Sequence, residues 1–202
     1  MIAGSTKPGG ARPSGGMVES ISALTDPRDL KVEDPRLDAL WRHWLAARAG
    51  RPMPARRSLD ATAMPATLPH LFLYEFQPDS GRFYCRLSGA EINLVVGRTC
   101  ARHYLDELFT PPVFAVVVER YSRVVRTPTL AYMRGIINMA NGFRVPGERL
   151  ILPLSDDGKV ANGLIGGAIY RLPEAFTAST WVHEPLIEAQ FNSLPPADWM
   201  PD

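Results

Sequence analysis

The chain has 202 residues, of which 46% are hydrophobic and 21% charged. That suffices for one ordinary domain with tails and excludes wholesale disorder. Lys and Arg number 22 against 21 Asp and Glu, a formal charge of +1, so the basic excess of a dedicated nucleic-acid binder is missing. No stretch approaches the roughly 20 apolar residues of a membrane span, and no apolar signal core follows the N-terminus. The expected compartment is the cytoplasm. Cys85 and Cys100 form no C-x-x-C pair; they read as small buried hydrophobes rather than a disulfide or zinc framework.

Residues 1–16 carry five Gly, two Pro and no aromatic. Such a segment buries too little apolar surface to offset its ordering entropy, and residues 1–33 are expected to be a disordered tail. Met17 is a second candidate start. The first firm element is a helix with Asp34 as N-cap and Pro35 at the first helical position. Leu37, Leu40, Trp41, Trp44 and Leu45 share one face of it, and Gly50 fits its end. The stripe either docks on the domain's own core or, through Leu37, Trp41, Trp44 and Leu45, contacts a second copy. Residues 36–57 hold six Arg against one Asp, and residues 172–202 hold five acids and no Lys or Arg. The first reads as a solvated face, with phosphate binding as the alternative. The second, as an acidic tail over 173–202, is placed near the first, within the fold or across a dimer.

Leu71–Phe76 reads as a short strand. A turn at Pro78-Asp79-Ser80-Gly81 leads to a second strand, Arg82–Ser88, in which Phe83, Cys85 and Leu87 alternate with Tyr84, Arg86 and Ser88. Ala90–Val96 is a brief helix stopped by Gly97. Pro111 and Pro112 open a longer helix through about Arg126, with Val113, Val117, Tyr121 and Val124 on one face and Phe114 and Val118 widening it. Three more strands are expected at Leu130–Asn138, Glu148–Leu154 and Gly163–Tyr170, the middle one directing Leu150, Leu152 and Leu154 inward. Two strands, helices and then three strands give an α+β fold: a five-stranded antiparallel sheet with helices on one face, plus the N-terminal amphipathic helix.

This order resembles a PAS domain. The closer resemblance is to the single-domain PAS-like family common in alphaproteobacteria. It rests on the Trp helix with its Arg-rich linker, WRHWLAARAGRPMPARRSLD from Trp41, on LPHLFLYEF at 68–76, on FYCRLSGAEINLVVGR at 83–98 and on RLILPLSDDG at 149–158. The match spans about residues 34–171 and gives a PAS-like domain over 34–172. The resemblance implies a non-enzymatic sensory or regulatory module in signal transduction, acting through a small ligand, through contact with a protein partner or homodimer, or both. An interaction adapter with a filled core is the first alternative, and a small enzyme acting on an apolar substrate the second.

Signatures of catalysis are scarce in the chain. His43, His70, His103 and His183 are dispersed and outside H-x-x-x-H or H-E-x-x-H patterns, which gives no metal site. Gly-x-Ser-x-Gly, the P-loop and Gly-x-Gly-x-x-Gly are absent, and no catalytic residues are assigned. The Asn-Cys-Arg-Phe motif of flavin-binding PAS sensors fails at Cys100, and the 111–126 helix lacks the His that haem-binding members use. Flavin and haem are therefore disfavoured and no cofactor is evident. What remains is a space between the long helix and the sheet. Its candidate lining is Phe114, Val117, Val118, Tyr121, Tyr132, Arg134, Leu152, Leu154 and Gly166, serving as ordinary core or as a small-molecule pocket. Arg134, if inward, would seek an anion.

Overall fold

A computed structural model describes residues 28, 30–138, 144–171 and 190–200. Residues 1–27 and 29 of the tail expected over 1–33, and most of the acidic segment, lie outside them. The elements run α1 (Pro35–Arg48), β1 (Leu71–Gln77), β2 (Arg82–Ser88), α2 (Ala90–Val96), α3 (Leu105–Leu108), α4 (Pro111–Arg126), β3 (Thr129–Asn138), β4 (Arg144–Ser155), β5 (Ala161–Tyr170) and β6 (Gln190–Ser193). Three single 3-10 turns lie between α1 and β1.

The strands form one antiparallel sheet in the order β2-β1-β5-β4-β3-β6. It has six strands rather than five. The sixth, β6, pairs with β3 through Leu130↔Asn192 and its neighbours, so the acidic segment contributes an edge strand. On the N-terminal side Leu30 is buried and Val32 packs against the core, so the folded part starts upstream of the helix.

Local chemistry explains the element ends. The Asp34 side chain accepts from the Arg36 amide at 3.0 Å, satisfying one of the free N–H groups of α1. The helix stops where Ala49 and Gly50 turn left-handed. Gly97 at φ 81° ends α2 the same way. In α4 the apolar stripe buries Val117, Tyr121, Val124 and Val125, while its first turn opens on the two prolines.

Both faces of the sheet are covered, and β5 shows how. A methyl group at Gly167 would sit 2.5 Å from Leu37 of α1. One at Gly166, which points the other way, would sit 2.3 Å from the Phe72 ring. That ring stacks on Tyr121 of α4 with centroids 5.9 Å apart. Helix α1 therefore lies on the face opposite α2–α4, not beside them, and the absence of Cβ atoms at 166 and 167 lets both layers approach.

Leu37, Trp41, Trp44 and Leu45 are 0–2% exposed. The Trp44 indole donates to the Pro153 carbonyl at 2.9 Å. The stripe is thus consumed by the chain's own sheet and is not free to contact a second copy. Arg48 at the end of α1 is fully buried. It donates to the Pro195 and Trp199 carbonyls at 2.9 and 2.8 Å. The basic segment and the C-terminal segment do meet here, but through main-chain carbonyls in a desolvated spot. Salt screens such contacts weakly.

Candidate functional site

Between α4, α2 and the sheet lies a small cavity of about 30 Å³, room for one or two water molecules. Its floor is Phe72 and Tyr74 of β1, Arg149 of β4 and Tyr170 of β5. Its roof is Val113, Val117 and Tyr121 of α4, with Ile92, Val95 and Val96 of α2 and Phe109 closing the sides. The period-2 pleat places Phe72, Tyr74 and Arg149 on this face, and the α4 stripe supplies the roof at i, i+4 and i+8.

Aromatic rings fill most of the space. Tyr121 packs against Phe72, Tyr74 and Phe83 with centroids 5.9, 5.2 and 5.7 Å away. Burial pushes the Tyr121 and Tyr74 phenols above their ordinary range, so both stay neutral at physiological pH. Among the described residues the one cation on the wall is Arg149. Its Nη2 donates to the Tyr170 hydroxyl at 2.5 Å, and its Nε is sealed from solvent with no hydrogen-bond partner among the described residues. Among the described residues no carboxylate lines the cavity.

The nine residues expected to line one pocket divide between three places. Val117 and Tyr121 line the cavity. Phe114 and Val118 pack against the core beside it, and the space over Gly166 is taken by the Phe72 ring. Tyr132, Arg134, Leu152 and Leu154 lie on the opposite face of the sheet, with α1. Tyr132 donates to Glu148 at 2.8 Å, and Arg134 is exposed and pairs with Glu33. Arg134 is therefore not the inward arginine; Arg149 is. Periodicity concealed it: Arg149 alternates with Leu150, Leu152 and Leu154, and alternation marks one face as polar only when that face meets water. Here it meets α4.

The two cysteines are poor nucleophiles. Burial raises the Cys85 thiol to about 12 and the Cys100 thiol to about 11, far from the thiolate form. Among the described residues no group of three His, Cys, Asp or Glu is placed to hold a metal ion.

The family comparison decides what this arrangement is. A PAS domain family profile matches residues 32–169, from just before α1 through β5. The chain belongs to the PAS domain family. The match takes in α1 and strands β1–β5 and ends before β6. Curated proteins give no match. Among solved structures, one described as VqmA bound to DPO is similar at 15% identity and a TM-score of 0.41. The similarity covers 56% of this chain and 57% of that one, so the chain spans little more than half of that protein's length.

Proposed function

We propose that this PAS protein is a non-enzymatic sensory or regulatory module. It holds a small molecule between α4 and the sheet and reports occupancy through contact with a partner protein or a second copy, in the cytoplasm. The observation that carries this reading is the cavity itself: apolar walls around a single polar wall, at the place where α2, α4 and three strands converge. Its small volume supports the signalling part of the reading. A ligand larger than a few heavy atoms has to displace Phe72, Tyr121 or their neighbours, so binding and a change of packing are the same event. Such a ligand shifts the equilibrium by its differential affinity for the open and closed packings.

The same small volume favours a second reading, an interaction adapter whose core is simply full. Native mass spectrometry of freshly purified full chain separates the two. A bound small molecule that leaves on denaturation is the expected result. Bare chain, combined with no thermal shift across a small-molecule library, supports the adapter.

A further inference from the structure

We propose, on the footing that the cavity beneath α4 is a ligand site, that its ligand is a monoanion: a carboxylate on a compact apolar body, with Arg149 as its counter-ion. Arg149 is half-buried and an arginine keeps its proton in such a place, so a guanidinium whose Nε is sealed against an apolar wall attracts a compensating charge. Among the described residues none is provided by the cavity lining, which holds no acid. Tyr170 takes one N–H of the guanidinium and leaves Nε unmatched. A neutral phenol supplies a dipole, not a charge.

The fork of N–H donors suits the two oxygens of a carboxylate. The Tyr170 hydroxyl, which accepts from Arg149, keeps its own proton to donate to the same group. The charge count sets the class. One cation balances one negative charge, and a phosphate dianion would carry a second into an apolar space. The body has to displace the Phe72 or Tyr121 ring from the cavity of about 30 Å³, and an aryl or branched alkyl group is the kind that can replace the ring and Val117 contacts so lost.

The test is an amide NMR titration of the full chain with three probes: benzoate, benzamide and inorganic phosphate. Benzoate is expected to bind about tenfold or more tightly than benzamide, the ratio that a charge-assisted pair gives. Its shifts should concentrate on residues 113–121 and 147–151, and phosphate should leave these unchanged. Arg149→Gln should bring benzoate down to the level of benzamide while benzamide binding persists. Should that variant fail to fold, the acid-to-amide ratio in the unaltered protein decides alone. Equal binding of benzoate and benzamide in the cavity overturns the anion assignment and leaves the ligand site standing. Tighter binding of phosphate there overturns the monoanion. Shifts confined to the arginines of residues 36–57, or no shift with any probe, overturn the carboxylate proposal altogether.

Discussion

Asp157 shows how much one exposed side chain can organise. Its Oδ1 accepts from the Ser155 hydroxyl at 2.6 Å and from the Lys159 and Val160 amides at 2.8 and 3.1 Å. Ser155 in turn accepts from the Asp157 and Gly158 amides. These bonds close the turn between β4 and β5. Led by the Ser155 hydroxyl, they lower the Asp157 carboxyl from 3.8 to about 2. The folded pKa is depressed, so the contribution to stability is full above about pH 4 and disappears as pH falls toward 2. Acid unfolding of the wild type should therefore steepen in that window, and Asp157→Ala should lower the urea midpoint at pH 7 while flattening that limb. A variant with an unchanged acid limb would assign the steepening to other carboxylates. The Ser-Asp-Asp-Gly signature made the turn legible; which aspartate closes it was not, because Asp156 instead faces Asn162 and Arg56.

At the scale of elements, the glycine pair in β5 sets the spacing of both helical layers. A Cβ at Gly166 would meet the Phe72 ring at 2.3 Å and the Leu150 carbonyl at 2.7 Å. The ring can swing, but the carbonyl belongs to the sheet ladder. Gly166→Ala should cost about 1–3 kcal/mol by overpacking, read as a drop in the denaturant midpoint. Trp44→Phe tests the other layer. It keeps an aromatic body but orphans the Pro153 carbonyl, at a cost of about 1–3 kcal/mol. Stability unchanged in either variant would mean that the layer is less tightly docked than its contacts imply. Strands β1–β5 and helices α1, α2 and α4 were legible because turn residues and apolar periods coincide there, whereas the single turn of α3, Leu105–Leu108, is too short to show a period. Strand β6 was not: four residues, Gln190–Ser193, are too few for a period, and only the exposed edge of β3 selects them. The side of the sheet to which α1 docks was equally hidden, since an amphipathic stripe names a buried face without naming its partner.

For the whole molecule, β4, like β5, touches both layers. Arg149 faces the cavity under α4, and its neighbour Glu148 faces α1. The fully buried Glu148 carboxylate accepts from the Glu33 amide at 3.0 Å, from the Asp34 amide at 3.0 Å and from the Tyr132 hydroxyl at 2.8 Å. It thus pins the start of α1 to the sheet, one residue away from the proposed counter-ion. Residues 148 and 149 share a peptide unit, so a ligand that draws Arg149 toward it is expected to be registered at the start of α1. In Glu148→Gln one acceptor oxygen becomes a donor that faces other donors. The start of α1 should loosen by about 1–3 kcal/mol, seen as roughly 10- to 100-fold faster exchange of the amides at 33–38. In the wild type, benzoate at saturation should change the protection of those amides. In Glu148→Gln the response should vanish although benzoate still binds. If the variant responds as the wild type does, the signal does not pass through Glu148. If neither responds, α1 is a fixed part of the scaffold and the output must leave from the α2–α4 side.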